Sequence, residues 1–220
     1  FTSQLWQMKS LIKGLRIRYG NKILICAGGP HPSGRPKDTL DMGVDFVIMG
    51  EGEKKFIEFM ESIVNDKKLS DLSGLAYYDR ERQYICKKEK NYNDYINLDD
   101  YPPFPLINAR FGAIEITRGC PFQCYFCQTS FMLGTKPRHR SIQNICKYVS
   151  ALAKPGYTDL RFITPNALSF GSKTGRDVNY TKLKKLLIKI REILGNEGRI
   201  FFGTFPSETR PEHITQDTLN

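Results

Sequence analysis

Three cysteines lie close together near the middle of the chain, in the sequence Cys120-Pro-Phe-Gln-Cys124-Tyr-Phe-Cys127. The apolar run at residues 111–116 is typical of a buried strand, so we expect the cysteines in one loop that leaves a strand end. Three thiolates at this spacing can bind three irons of a [4Fe–4S] cluster and leave the fourth iron open to a substrate or cofactor. The pattern therefore predicts an iron–sulfur site with these three cysteines as ligands.

A structural zinc site and a set of unrelated core cysteines are the alternatives. Zinc would need a fourth ligand at finger-like spacing, and the candidate, His139, lies twelve positions after Cys127. The other three cysteines fall in strand-like or helical apolar stripes, so we predict that Cys26, Cys86 and Cys146 are buried thiols.

Composition limits the class of protein. The chain has 220 residues, a net charge of +10 and six cysteines, three of them clustered, which favours a reducing, cytoplasmic setting over a disulfide framework. We find no membrane-spanning apolar run and no signal peptide. Because the chain does not begin with Met, we interpret it as a fragment of a longer protein.

Lysines are scattered along the chain, and the densest set lies on one predicted helix, at residues 177–194. Its apolar residues recur at helical spacing, which leaves Lys182, Lys185 and Lys189 largely outward. A solvated helix face is favoured over a nucleic-acid site, although the charge could still attract an anionic substrate.

The amino-terminal part alternates between helices and strands. We predict helices at 3–18, 36–42 and 53–64 and strands at 22–27 and 44–49. The first helix should bury an apolar stripe formed by Leu5, Met8, Leu11, Ile12 and Leu15. This order is typical of an open α/β sheet, in which ligands lie at the carboxyl ends of the strands. Two glycine-rich turns fall at those ends, one with Gly28 and Gly29 and one with Gly50 and Gly52.

A hairpin and a linker follow. Residues 74–79 and 83–86 flank a polar turn and predict two antiparallel strands, and a polar, then proline-rich stretch leads on towards residue 110. We place the domain boundary there.

The carboxyl-terminal part has the order of a βα barrel. After the cysteines we predict a helix that begins at Ser141, a strand at 157–164, a helix at 177–194 and a strand at 199–204. Arg138 and Arg140 close the loop after the cysteines; they either bind an anion or pair with surface acids. Polar residues at 205–214 follow the last strand, where barrels place active-site groups.

The cysteine motif, with the aromatic Phe126 before the third cysteine, resembles that of the radical S-adenosylmethionine (SAM) superfamily. In that family the free iron chelates SAM, and the resemblance implies reductive cleavage of SAM to a 5′-deoxyadenosyl radical. It also implies that Phe126, Thr164, Asn166 and Arg210 contact SAM. The chain lacks the acid that relatives carry near Asn166, and a salt bridge to Glu208 or Glu212 is the other interpretation of Arg210.

The two glycine-rich turns resemble those of the cobalamin-binding domain that precedes the barrel in one branch of the superfamily. The resemblance implies that Gly28, Gly29, Gly50 and Gly52 leave room for the nucleotide tail of cobalamin, which a β-carbon would obstruct. Ordinary turn glycines are the alternative. The D-x-H-x-x-G motif that supplies a lower cobalt ligand is absent, and we interpret His31 as a loop residue near the pocket.

The resemblance covers most of the chain. It implies an α/β fold: residues 1–65 form the C-terminal half of a Rossmann-like cobalamin-binding domain, 66–109 a hairpin and linker, and 110–220 the first half of a partial (β/α) radical SAM barrel. The implied function is cobalamin-dependent methyl transfer to an unactivated carbon. The alternatives are a radical rearrangement, cyclisation or methylthiolation, and a non-catalytic iron–sulfur or cobalamin-binding sensor or electron carrier. Expected partners are an unknown substrate and a one-electron reductant such as ferredoxin or flavodoxin.

Overall fold

A computed structural model of the chain describes residues 2–87, 95–107, 111–202 and 209–219. The chain divides into two compact units, Phe1–Ile96 and Asn97–Asn220. Within the described residues, no helix combines the length and apolar character needed to cross a membrane.

The first unit is a four-stranded mixed sheet with helices. Its elements are α1 (Leu5–Tyr19), β1 (Cys26–Gly28), α2 (Pro30–Gly34), α3 (Pro36–Asp41), β2 (Phe46–Ile48), α4 (Glu53–Val64), β3 (Leu75–Tyr78) and β4 (Tyr84–Lys87). The strand order is β1-β2-β3-β4. Strands β1 and β2 are parallel, whereas β3 pairs antiparallel with both β2 and β4. The hairpin expected from the polar turn therefore extends the same sheet.

Both faces of this sheet are covered, because successive side chains of a strand point to opposite faces. Val47 packs in a cluster with Ile12 of α1 and Leu40 of α3. Its neighbour Ile48 packs in a second cluster with Phe59 of α4. The helices thus hold the two glycine-rich turns at the ends of β1 and β2.

Three expectations for this unit are wrong in detail. The first strand is shorter than predicted, and Leu24, placed inside it, is 58% exposed. Cys26 is exposed rather than buried, and Cys86 is only partly buried. Along α1, Ile12 is buried but Met8 and Leu11 are exposed. In the described sheet β1 pairs with β2 alone, so less of β1 and of its covering helix is packed.

The second unit contains three parallel strands joined by helices. Its elements are β5 (Ile114–Glu115), β6 (Thr117–Arg118), α5 (Thr129–Leu133), β7 (Arg138–His139), α6 (Ile142–Ala153), β8 (Asp159–Ile163), α7 (Tyr180–Leu194), β9 (Arg199–Phe201) and α8 (Gln216–Leu219). The order β5-β8-β9 is parallel throughout. Helices α6 and α7 connect successive strands, as the predicted βα order requires.

The core of this unit lies between those strands and the two helices. Leu160 and Phe162 of β8 pack with Ile145 of α6 and with Leu186 of α7, all fully buried. Each such side chain stabilises the fold by roughly 1.5–3 kcal/mol. This packing fixes the strand ends from which the site residues leave.

Both helices begin at the capping residue that the local sequence provides. Ser141 accepts a hydrogen bond from the Asn144 N–H at 3.1 Å, and Asn179 accepts one from the Lys182 N–H at 3.1 Å. Because such a cap contributes about 1 kcal/mol, the starts of α6 and α7 are well defined. The expected cap at Ser141 is confirmed.

Candidate functional site

The three cysteines lie in one loop, residues 119–137, which we call the cysteine loop. Strands β6 and β7 flank it and pair antiparallel, Thr117 with His139 and Arg118 with Arg138. Arg138 also donates from Nη2 to the Leu133 carbonyl at 2.7 Å, inside the loop. The loop is therefore closed at its base by a short ribbon that follows directly from β5.

His139 braces this ribbon with both ring nitrogens. Its Nε2 donates to the carbonyl oxygen of Ser172 at 2.7 Å, so its Nδ1 accepts from the hydroxyl of Thr117 at 2.9 Å. Burial, with a further contribution from Lys182, lowers the pKa of His139 below its ordinary value, which favours this neutral form. Since neither nitrogen is free, the zinc alternative loses its candidate fourth ligand.

Gly119 sets the direction of the chain into the first cysteine. It has φ +87°, and a β-carbon there would lie 2.3 Å from the carbonyl oxygen of Lys136. The backbone of Cys120 is then held on both sides: its N–H donates to Gly134 at 3.0 Å and its carbonyl accepts from Ser130 at 2.7 Å. Only glycine fits this close approach of two backbone segments.

The second and third cysteines sit in a turn. The N–H of Cys127 donates to the carbonyl of Cys124 at 2.9 Å, and its thiol lies 3.3 Å from the hydroxyl of Thr129. Gln123, just before Cys124, has φ +52°, a left-handed conformation that costs a non-glycine residue about 1–2 kcal/mol. Phe126 is 92% exposed, so it is open to contact with a ligand.

The donor set fits an iron–sulfur cluster in chemistry, although the side chains do not converge. Cys120 and Cys124 are partly buried and Cys127 is exposed, on a backbone anchored by hydrogen bonds. In the part of the chain that the structure describes, no three His, Cys, Asp or Glu side chains are grouped as a metal site. Cluster binding by the three thiols therefore requires them to turn towards one another.

Thr164 and Asn166 follow strand β8 and are both buried. The hydroxyl of Thr164 donates to the Asn166 carbonyl at 3.1 Å, and the Asn166 amide nitrogen lies 3.2 Å from Nδ1 of His213. The Nε2 of His213 donates to the Arg176 carbonyl at 3.0 Å, so Nδ1 accepts from the amide. The side-chain oxygen of Asn166 is then buried and has no hydrogen-bond partner among the residues that the structure describes.

Arg210 forms one of the salt bridges considered for it, to Glu212, and its guanidinium also lies 3.8 Å from the ring centroid of Phe122 in the cysteine loop. The pairing holds the pKa of the Glu212 carboxyl below its ordinary value. The other candidate partner, Glu208, lies outside the described residues, as does the start of the polar stretch expected at 205–214.

Arg140 is a structural residue, not an anion ligand. It is 2% exposed and donates to the carbonyls of Glu115 at 3.0 Å and Tyr101 at 2.9 Å, and to the side-chain oxygen of Asn144 at 3.0 Å. It thus ties the segment at Tyr101 to β5 and α6.

The glycine-rich turns of the first unit are tied to each other. The N–H of Gly50 donates to the hydroxyl of Ser33 in α2 at 3.0 Å. Gly29 has φ +95° and Gly50 has φ +74°, so both need glycine for the backbone itself. Gly52 has an ordinary φ of −90°, and a β-carbon there would meet nothing within 4 Å, which leaves open space beside this turn.

Sequence reasoning missed two features of the second unit. One is the segment Gly171–Asp177, which lies against the cysteine loop; its closely spaced Gly, Ser, Thr and Asp residues were the available signal. The other is a cavity of about 560 Å³ beside α6 and α7. Lys182, Lys185 and Lys189 line it together with Cys146, which is partly buried and faces the cavity rather than lying wholly in the core.

Parallel strands joined by helices, with a three-cysteine loop after the first strand, define the class of radical SAM domains. The model of the radical SAM superfamily matches residues 114–216, and that of the B12 binding domain matches residues 1–60. The chain therefore carries a B12-binding domain ahead of a radical SAM domain. The resemblance drawn from the cysteines and glycines is confirmed at this level, as is the α/β fold class.

Known proteins with related sequences and folds agree with this assignment. The uncharacterized methyltransferase PH0819 of Pyrococcus horikoshii is 28% identical over 139 residues, 59% of this chain and 30% of that protein. The radical S-adenosylmethionine methyltransferase TsrM of Kitasatospora setae, solved with cobalamin and a [4Fe-4S] cluster, matches 90% of this chain and 40% of its own, at TM-score 0.66 and 16% identity.

OxsB, a cobalamin-dependent S-adenosylmethionine radical enzyme, matches 90% of this chain and 28% of its own, at TM-score 0.62 and 18% identity. At these identities the two solved structures establish the fold alone. The chain spans less than half the length of each of the three relatives.

Proposed function

We propose that the chain is part of a cobalamin-dependent radical SAM methyltransferase, which methylates an unactivated carbon of its substrate. When bound, the cluster and SAM supply a 5′-deoxyadenosyl radical and cobalamin supplies the methyl group. The observation that carries the proposal is the anchored cysteine loop at the carboxyl end of β5, in a chain that also holds a B12-binding domain.

In this proposal Cys120, Cys124 and Cys127 hold the cluster. The base of their loop is closed by β6 and β7, and Cys120 is fixed by two backbone hydrogen bonds. An ordered loop presents its thiols at a lower entropic cost than a disordered one. The fourth iron stays open because the chain offers a three-thiol motif and His139 is fully bonded elsewhere.

We assign the SAM side of the site to residues at the same edge of the parallel strands. Asn166 carries a buried side-chain oxygen that has no partner in the described part of the chain and would accept a hydrogen bond from the SAM ammonium. Thr164 holds the Asn166 backbone, and the exposed Phe126 together with the partly buried Arg210 completes the expected set. An amide attracts a cation less strongly than the carboxylate of relatives does.

The cobalamin side is assigned to Gly28, Gly29, Gly50 and Gly52. Support comes from the open space at Gly52 and from the hydrogen bond that joins the two turns through Ser33. The division into residues 1–65, 66–109 and 110–220, and a one-electron reductant such as ferredoxin or flavodoxin, belong to the same proposal.

The test uses the full-length protein, reconstituted anaerobically with iron and sulfide, with and without hydroxocobalamin. Given SAM and dithionite, it should release 5′-deoxyadenosine and keep a cobalamin spectrum after desalting. Cys124→Ser should abolish the nucleoside, whereas the matched variant Cys146→Ser should keep it. Release of 5′-deoxyadenosine without retained cobalamin would overturn the cobalamin part of the proposal and favour a radical reaction without cobalt. If neither 5′-deoxyadenosine nor retained cobalamin is found, the non-catalytic alternative is favoured.

A further inference from the structure

The segment Gly171–Asp177 between β8 and α7 is internally rigid. The hydroxyl of Ser172 accepts from the Gly175 N–H at 2.8 Å and donates to the Asp177 carboxylate at 2.8 Å. Thr174 also bonds Asp177, and these two hydroxyls lower the pKa of that carboxyl. The carbonyl oxygen of Ser172 accepts a hydrogen bond from Nε2 of His139. The segment is therefore a fixed element and not a loose connection.

This segment packs directly on the cysteine loop. A β-carbon at Gly175 would lie 3.0 Å from Cδ of Pro121 and 3.3 Å from Cγ of Pro137, so the backbone at Gly175 packs closely against the rings of these two prolines. The Nη2 of Arg176 donates to the carbonyl oxygen of Pro121 at 2.8 Å. Pro121 lies immediately after Cys120, so this bond fixes the loop beside its first cysteine.

Phe122 is the second contact. Its ring centroid lies 5.0 Å from the guanidinium carbon of Arg176 and 3.8 Å from that of Arg210. The charge of Arg210 is compensated by Glu212. Arg176 has no ion-pair partner among the residues that the structure describes, and its positive charge lies beside the peptide that joins Cys120 to Cys124.

A buried histidine holds the backbone of Arg176. His213 is 3% exposed, and its Nε2 donates to the Arg176 carbonyl at 3.0 Å while its Nδ1 accepts from Asn166. The end of β8, the segment before α7 and the cysteine loop are thereby linked in one chain of hydrogen bonds.

We propose that Arg176 is a positioning residue for the cysteine loop: it clamps the loop between Cys120 and Cys124 and places a positive charge beside the cluster site. The second part of this inference, the positive charge beside the cluster site, rests on the proposed function. Cation–aromatic stacking and a charge-assisted hydrogen bond oppose motion of the loop. Net charge near a cluster is one of the factors that set its reduction potential, and a nearby cation raises it.

The clamp is tested in the cofactor-free full-length protein by the rate at which Cys120 and Cys124 are alkylated, read by mass spectrometry. Arg176→Gln should increase both rates several-fold, because the Pro121 bond and the stacking are lost. Phe122→Leu, which removes the stacking surface, should also increase them. Arg199→Gln removes an exposed arginine at the start of β9 that pairs with Asp159. It should leave both alkylation rates unchanged.

The charge is tested by redox titration of the reconstituted cluster, followed by electron paramagnetic resonance. Arg176→Gln should shift the reduction potential to more negative values, whereas Arg176→Lys should keep it near that of the unmodified protein. Arg199→Gln changes the net charge by the same amount as Arg176→Gln and should not shift the reduction potential. The inference is overturned if Arg176→Gln matches Arg199→Gln in both measurements. A protein that binds no cluster would instead contradict the proposed function, while the alkylation rates still decide the clamp.

Discussion

The hydroxyl of Thr117 and Nδ1 of His139 lie 2.9 Å apart and close the base of the cysteine loop. In the neutral imidazole Nδ1 accepts from the Thr117 hydroxyl, because the other ring nitrogen already donates to Ser172. Protonation of His139 would turn Nδ1 into a donor and reverse the direction of this bond, so that the Thr117 hydroxyl would have to accept. The base of the loop thus contacts one partly buried histidine whose proton is disfavoured.

Stability should therefore fall on mild acidification. The pKa of His139 is lowered in the folded chain, so below the ordinary histidine value of about 6.5 the unfolded state binds more protons. The free energy of unfolding should decrease as the pH falls from about 6.5 towards the lowered pKa, by at most about 1.4 kcal/mol per pH unit for this proton. Urea unfolding between pH 5 and 7 measures it.

The control for this pH dependence is His139→Gln, which has no titratable group and should flatten the profile in that range. Lys182 is the charged group that acts on His139. Asp177, whose pKa is lowered, contributes stability that is lost only in stronger acid. An unchanged slope in His139→Gln would show that His139 does not cause the effect.

Gly119→Ala should disrupt the cysteine loop. Its β-carbon would meet the Lys136 carbonyl at 2.3 Å, in addition to the strain of φ +87°. We expect a loss of about 2 kcal/mol or more in the free energy of unfolding, and less iron bound after reconstitution. Gly156→Ala is the matched control, because it has φ +90° and no neighbour within 4 Å. Equal losses in the two variants would rule out the backbone contact as the cause.

Gly52→Ala should reduce cobalamin retention without unfolding the chain. Its φ of −90° is ordinary and the added methyl group meets no protein atom, so any effect reports on a ligand in that space. The fraction of cobalamin retained after desalting should fall several-fold while the melting temperature holds. Gly14→Ala, in α1 with equal room, should keep cobalamin and stabilise the helix by about 0.5–1 kcal/mol. Equal cobalamin retention in the two variants would show that Gly52 does not belong to the cobalamin site.

Arg140→Met should destabilise the second unit by about 3 kcal/mol. The side chain is 2% exposed, and its loss leaves the carbonyls of Glu115 and Tyr101 without their donors. Arg161→Met, which removes an exposed arginine stacked 4.7 Å from the ring centroid of Phe201, should cost less than about 1 kcal/mol. Chemical denaturation compares them, and similar losses would contradict the structural role of Arg140.

Helix starts and the alternation of helices and strands along the chain were predictable because their signals are local. Ser141 caps α6 through Asn144, three residues away, and the apolar spacing of α7 buries Leu183, Leu186 and Ile190 as expected. The burial of side chains at the β1 edge of the first sheet was less predictable. The apolar run at 22–27 does not reveal that β1 pairs with β2 alone in the described sheet, which leaves Leu24 exposed.

The sequence by itself determined the cysteine spacing, the glycine-rich turns and the α/β order, and thereby the radical SAM and B12-binding domains, because each of these signals lies within a short stretch of the chain. Only the tertiary structure decided how the cysteine loop is held. The bond from Arg176 to Pro121 spans 55 positions and that between Asn166 and His213 spans 47. Such pairs meet only after β8 and α7 have packed, because a hydrogen bond depends on distance in space and leaves no periodicity in the chain.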